Sequence, residues 1–569
     1  MRVSVRTILV GLTAAAVGVG LVAAPPLAGA SSHTTSGSTA TGTAQDYVVL
    51  FKDGAGVAAA RAAIARAGGR VVRENVKIGY AVARSADRAF ADRVAQQPAL
   101  DGAARDQPIG YAPKAGRTPR DAVERLSAQR RTAHDGSSTA VRPAGIRAEP
   151  LADRQWDMRQ IGATPGGSYR VQRGDRRVLV GVIDTGIDGT HPDIVDNFDA
   201  RLSRNFTTDI PALDGPCEFP SCKDPANWDD DGHGTHVAST IAAPINGRGI
   251  AGVAPNVTLV NLRAGQDAGF FFLPATLDAL TYAGDIGVDV VNMSFYTDPW
   301  LFNCLDNPAD SPSQQREQRT IRVATQRAMA YAINHGVAPI AASGNESTDL
   351  GHPDSDDTSP DYPLGTAHPR TVDNSCITVP GETNGVTVVN ATGPSNRKAY
   401  YSNYGLEQSD VAAPGGDAYD SPGNSVDPRN EVLAAYPTRL ARINGDIDAN
   451  GNPTSDMVVK DCSGGSCAYY QYLQGTSMAA PHAVGVAALI VSEHGHADPA
   501  HPGGWTLAPA TTRSILLNSA AGQACPQPRL FRYTLAGGTP AHESAYCAGP
   551  PGNNGFYGRG IVNAFAAVR

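Results

Sequence analysis

From Arg177 onward, short apolar runs rich in β-branched residues alternate with longer segments of helical period, and few architectures accept that pattern. Val178-Leu179-Val180-Gly181-Val182-Ile183 contains no polar side chain, as a strand buried on both faces requires. Val257 to Leu262, Val288 to Met293 and Val337 to Ala342 repeat the theme. Between them, Leu273 to Gly284 and Glu317 to His335 read as helices. Strands separated by helices must cross over, so the prediction is an α/β fold: a doubly wound parallel sheet with helices on both faces. In such a sheet, functional residues gather at the carboxyl ends of the strands.

The 569 residues exceed one compact domain, and the front of the chain reads differently. Arg2 and Arg6 precede an apolar stretch from about Ile8 to Ala24, and Ala28-Gly29-Ala30 supplies small residues for cleavage. That is the grammar of a signal peptide over 1–30, so the expected location is extracellular. A membrane anchor is the rival, but the stretch is rich in Gly, Ala and Thr and no stop-transfer pattern follows it. Residues 31–45 are a polar, flexible leader. Over 46–112, strand, helix, strand, strand and a helix at Ala86 to Gln97 predict a small α+β domain. Residues 113–155, rich in Arg, Pro and Gly, read as a linker with one short helical stretch at Asp121 to Gln129. The main domain spans 156–569.

Charge divides along the same line. Residues 1–112 carry 12 Lys and Arg against 7 Asp and Glu, leaving 35 basic and 48 acidic residues beyond them. A basic front domain suits docking onto an acidic body, although ordinary variation between segments gives the same numbers. The formal net charge of -8 offers nothing to nucleic acid. All eight cysteines lie beyond residue 216. Proximity pairs Cys217 with Cys222, Cys462 with Cys467 and Cys525 with Cys547, leaving Cys304 for Cys376, among the 105 connectivities open to eight thiols. The C-x-x-C pairs typical of zinc sites are missing.

Three motifs carry chemistry. Val182-Ile183-Asp184-Thr185-Gly186 puts a carboxylate at the end of a buried strand. Gly232-His233-Gly234-Thr235-His236 opens an apolar helix with a histidine, and Gly475-Thr476-Ser477-Met478-Ala479 places a serine ahead of another. Singly, each has an ordinary explanation: a turn carboxylate, a loop histidine, a helix cap. Together they match a need. A hydroxyl becomes a nucleophile when a base takes its proton, and the base needs a carboxylate to hold its tautomer.

With these three motifs in the order Asp, His, Ser, the sequence resembles the subtilisin family of serine peptidases from about Trp156 to Ala567. Gly252-Val253-Ala254-Pro255, Ser402-Asn403-Tyr404-Gly405 and Gly558-Arg559-Gly560-Ile561-Val562-Asn563 extend the likeness. The resemblance implies Asp184 as orienter, His233 as general base and acid, and Ser477 as nucleophile. His191, His236 and His482 are then structural. It implies Asn345, in Ser343-Gly344-Asn345, as an oxyanion donor beside the Ser477 N–H. It points to Ser294, Phe295, Tyr296 and Gly344 as substrate contacts. Phe295 and Tyr296 stand where the family has small residues, and so reshape the pocket. The Asp229-Asp230-Asp231 run is open to three readings: a preference for basic substrates, a solvated turn or a cation site. Asp193 and Asn246 fall on positions that hold a structural calcium in relatives; no cofactor is expected for catalysis. Segment 46–112 resembles an inhibitory propeptide, whose tail, Leu100 to Ala112, would lie in the active-site groove and be cleaved near Tyr111 or Ala112.

The expected function is therefore a secreted, monomeric serine endopeptidase made as an autoprocessed zymogen. Its partners would be polypeptide substrates and its own propeptide, with no stable membrane anchor. A narrow processing peptidase is the nearest alternative, given Phe295-Tyr296 and the insertions at 303–319 and 415–474. A binding scaffold on an inactive fold is the rival from another class.

Overall fold

The computed structural model describes residues 44–106, 108–111, 121–124, 148–295, 299–360, 366–463, 465–534 and 544–569. The signal peptide, the leader up to residue 43, Tyr296 and Ala112 lie outside them. Strands β1 (Gln45–Phe51), β2 (Arg70–Asn75), β3 (Tyr80–Ser85) and β4 (Leu100–Arg105) form an antiparallel sheet in the order β2-β3-β1-β4. Helices α1 (Val57–Arg66) and α2 (Phe90–Val94) cover one face. Period-two alternation sorts the side chains of β1. Tyr47, Val49 and Phe51 pack with Ile64 and Phe90, whereas Val48 and Leu50 point the opposite way, into a core shared with the main domain.

Two expectations change here. The helix read over Ala86 to Gln97 is only α2, five residues long. Leu100 to Arg105, expected in the groove as part of the tail, is instead β4, paired with β1. Gly102 interrupts its short apolar pattern, but that glycine is also what lets β4 close on the main domain: a Cβ there would lie 2.5 Å from Thr320 Oγ1. Of the rest of the expected tail, Pro108–Tyr111 forms the short strand β5. Of the linker helix, only α3 (Asp121–Glu124) is described.

The main domain begins its sheet with β6 (Leu179–Ile183) and β7 (Arg204–Asn205), followed by α4 (His233–Ala242), β8 (Thr258–Arg263) and the short edge strand β9 (Phe270–Phe272). Then come α5 (Leu273–Asp285), β10 (Val290–Met293), α6 (Pro312–Asn334), β11 (Ala338–Ala342), β12 (Thr387–Thr392) and β13 (Val411–Pro414). Seven strands line up as β13-β12-β11-β10-β6-β8-β7, all parallel, so the predicted doubly wound sheet is present. Successive connections place neighbours on both sides of β6, the arrangement that opens a crevice at strand carboxyl ends.

The insertion at 415–474 builds a second sheet, β14 (Val432–Tyr436), β15 (Val458–Asp461) and β16 (Ala468–Leu473), ordered β14-β16-β15. It leads into α7 (Thr476–His494), buried around nearly its whole circumference. Helices α4 and α7 pack on one face of the main sheet, α5 and α6 on the other. The front sheet lays Val48, Leu50, Tyr80, Val82 and Ala104 against α5 and α6. All four cysteine pairs expected from proximity are disulfides.

Candidate active site

Asp184 follows the carboxyl end of β6, His233 is the first residue of α4, and Ser477 is the second residue of α7. The first two meet because Gly234 lacks a side chain: a Cβ there would stand 2.1 Å from Gly186 O and 3.1 Å from Asp184 Cβ. His233 Nδ1 is 2.8 Å from Asp184 Oδ1, which also accepts the Thr185 N–H at 2.8 Å. Asp184 and His233 are buried. Burial alone would lower the His233 pKa; Asp184 overrides it, helped by Glu124 and Asp231, and the imidazole is pushed up to about 10.

Ser477 Oγ donates to Glu124 Oε1 at 3.0 Å, and Asn345 Nδ2 donates to the same oxygen at 3.3 Å. The other Glu124 oxygen stands 3.8 Å from His233 Nε2. Asn345 is aimed by its own carbonyl, which accepts the Thr476 N–H at 2.9 Å and the Thr476 hydroxyl at 2.8 Å. Main-chain contacts hold α3 in place: Gln474 N–H donates to Glu124 O at 3.2 Å, and Gln474 Nε2 to Val123 O at 2.5 Å. The carboxylate thus stands in for an anion between the serine hydroxyl and a side-chain amide. Sequence reasoning missed Glu124; its only signal was an isolated helical stretch within a linker.

The remaining site residues divide. Ser294 Oγ accepts from Asn292 Nδ2 at 2.9 Å and donates to Ser477 O at 2.8 Å, so it braces the start of α7. Gly344 N–H donates to Thr476 Oγ1 at 3.1 Å. Phe295 is buried and stacked on Phe271 of β9, with ring centroids 4.1 Å apart. The edge strand β9 takes up β5 in antiparallel register, Tyr111 opposite Phe270 and Pro108 opposite Phe272. Asp229, Asp230 and Asp231 are buried rather than solvated. Asp229 accepts the N–H groups of Asp231, Gly232 and Thr235, and Asp230 pairs with Arg439, so neither is displayed to a basic substrate. His482 meets Asp157 at 3.0 Å and His191 meets Tyr469 O at 3.1 Å, as structural histidines do.

Asp193 Oδ2 accepts from Ile250 N–H at 3.0 Å and Tyr470 O–H at 2.7 Å, while its Oδ1 is buried without a hydrogen-bond partner. Asn246 Oδ1 accepts the Arg248 N–H at 3.0 Å. Glu149, which the sequence did not single out, is buried beside them with an unpartnered Oε2. Burial, then mutual repulsion, pushes the Glu149 carboxyl up to about 7, and burial does the same to Asp193. Two crowded, orphaned carboxylate oxygens and an amide oxygen suit a hard cation.

Residues 175–560 match the model of the Subtilase family, peptidase S8. Fervidolysin of Fervidobacterium pennivorans is 28% identical over 351 residues, covering 62% of this chain and 39% of that protein. Subtilisin DY of Bacillus licheniformis is 27% identical over 317 residues, 56% of this chain and 77% of its own. Among solved structures, the epidermin leader peptide processing serine protease of Staphylococcus aureus superposes with a TM-score of 0.60 at 19% identity, over 92% of this chain and 98% of that one. Fervidolysin gives 0.53 at 20% identity, over 92% and 61%. These superpositions agree with the fold derived above. With the family model matched over more than half its length, the chain belongs to the subtilase family.

Proposed function

We propose that this chain is a secreted serine endopeptidase, made as a zymogen that processes itself, and that it cleaves peptide bonds through an acyl-enzyme. The observation that carries the proposal is the carboxylate of Glu124 shared by Ser477 Oγ and Asn345 Nδ2, beside a histidine braced on Asp184. A tetrahedral oxyanion would use the same Asn345 donor. Once Glu124 withdraws, Ser477 Oγ gives its proton to His233 Nε2 and attacks the scissile carbonyl carbon. Asn345 Nδ2 and the Ser477 N–H hold the oxyanion. As the C–N bond breaks, His233 returns the proton to the departing amine; water then repeats the cycle on the ester.

The pairing of β5 with β9 supports extended polypeptide as the substrate, because a substrate strand would add to the same edge. It also supports the tail's entry into the groove next to the expected cleavage at Tyr111 or Ala112. Asp193, Glu149 and Asn246 would hold a structural calcium that braces the loop before Ile250, with no part in the chemistry. The Phe271–Phe295 stack favours a second, narrower reading in which one class of precursor is processed, since it fills space along the groove edge.

The test is intact mass over time for wild type and Ser477→Ala, each incubated with a fluorophosphonate. The expected wild type loses its front domain and gains one label, while Ser477→Ala does neither. A folded wild type that is never labelled would return the chain to the scaffold reading.

A further inference from the structure

Away from the triad, the loop closed by Cys217–Cys222 brings several carboxylates together. Ligand oxygens of Asp209, Glu218 and Asp267 lie within 4.8 Å of one another, and Glu218 makes a second such group with Asp224 and Asp230. Asp209 is only 5% exposed, yet neither of its carboxylate oxygens has a hydrogen-bond partner; the buried Asp224 Oδ1 has none either. Gln266 supplies an independent sign. It is 3% exposed, its Nε2 donates to Thr208 O at 3.1 Å beside Asp209, and its Oε1 is left without a partner. The buried Arg263 pairs with Asp224 at 2.7 Å and with Asp267. A carboxylate as buried as Asp209, with neither oxygen answered, is one that folded proteins rarely tolerate without a counter-ion.

We propose that Asp209, Glu218 and Asp267, with Asp224 behind them, bind a calcium ion distinct from any at Asp193. The donors are all oxygens, the nearby thiols are tied in a disulfide, and among the described residues no histidine joins the groups, so a hard cation is selected. Oxygens on one calcium stand roughly 2.4 Å from it, and the oxygens of Asp209, Glu218 and Asp267, all within 4.8 Å of one another, are close enough to share one ion. Glu218 lies on the disulfide loop and Asp267 in the turn that feeds β9, where Gln266 N–H donates to Phe270 O at 2.8 Å. The ion therefore fastens the loop to the edge strand that takes up β5. It orders the groove without taking part in hydrolysis, and the site stands whether or not the chain is active.

The test uses full-length Ser477→Ala protein stripped with EDTA. Terbium is added with excitation of tryptophan, because Trp228 donates to Asp230 Oδ2 at 2.7 Å and is placed to sensitise an ion held there. Calcium is then titrated against the terbium, and bound calcium per chain is counted by equilibrium dialysis. The expected result is tryptophan-sensitised terbium emission displaced by calcium, kept in Asp193→Asn. In Asp209→Asn one bound calcium is lost, or its affinity falls at least tenfold. Glu218→Gln, on an exposed loop side chain, should reproduce the loss and covers the case in which Asp209→Asn fails to fold. Calcium counts and emission unchanged in Glu218→Gln and in any folded Asp209→Asn would overturn the proposal. So would loss of the emission in Asp193→Asn alone.

Discussion

Ser477 donates its hydroxyl hydrogen bond to Glu124 instead of His233, and that contact sets the state of the whole site. With Asp184 on one nitrogen and Glu124 facing the other, His233 is pushed up to about 10, so at neutral pH it is an imidazolium and cannot act as a base. The same shift stabilises the folded precursor: the contribution is full below the ordinary histidine value and is lost as pH rises through about 10. Replacing Glu124 by Gln keeps its size but removes the anion, so the His233 pKa must fall. Fluorophosphonate labelling of the intact Glu124→Gln precursor should therefore begin at a lower pH than in wild type. Glu124→Ala should label faster still, having also vacated the donors. Coincident pH midpoints for wild type and Glu124→Gln would show that the carboxylate does not govern the base. Asp184, His233, Ser477 and Asn345 were all legible in sequence because each lies inside a local motif at an element boundary. Glu124 was not, since its partner is 353 residues away and nothing local announces the meeting.

Elements follow the same rule. The runs that became β6, β8, β10 and β11 were readable because strands buried on both faces are dominated by apolar, mostly branched side chains, with Asn261 and Asn292 too few to blur the pattern. β4 was misread as tail because Gly102 breaks its alternation, and the sheet at 415–474 was missed because its strands are short and far apart in sequence. Gly102 makes the misreading testable. A side chain there meets Thr320 of α6 before β4 can seat, and overpacking of this kind costs roughly 1–3 kcal/mol. Gly102→Val should lower the melting temperature of the Ser477→Ala precursor while leaving the separately melting mature chain unchanged. Thr320→Ala, which removes the hydroxyl in the way, should restore part of the loss. A melting temperature equal to the parent's would mean that β4 does not need close approach.

At the scale of the whole molecule, the proposed processing raises the question of what would hold the front domain on the body once the connecting chain is cut. Charge was the visible clue in the sequence, and ion pairs do cross the boundary: Arg73 with Asp278, Lys77 with Asp285 at 2.5 Å, and Arg327 with Asp53 at 2.7 Å. Each has at least one exposed partner, however, and a pair such as Lys77–Asp285 contributes about 0–1 kcal/mol in water, less in salt. The opposing faces bury Val48, Leu50, Tyr80 and Val82 against α5 and α6, where truncating one leucine typically costs about 2–5 kcal/mol. Apolar contact should dominate, with charge setting the approach. In a time course that follows cleavage by mass and activity by substrate turnover, the lag between the two measures how long the cut front domain stays bound. Leu50→Ala should shorten that lag by tens of fold or more, Lys77→Ala by no more than a few fold, and 1 M salt should act like Lys77→Ala. If Lys77→Ala or salt abolished the lag as completely as Leu50→Ala, the basic front and acidic body would be the main bond, and the buried face only its footing.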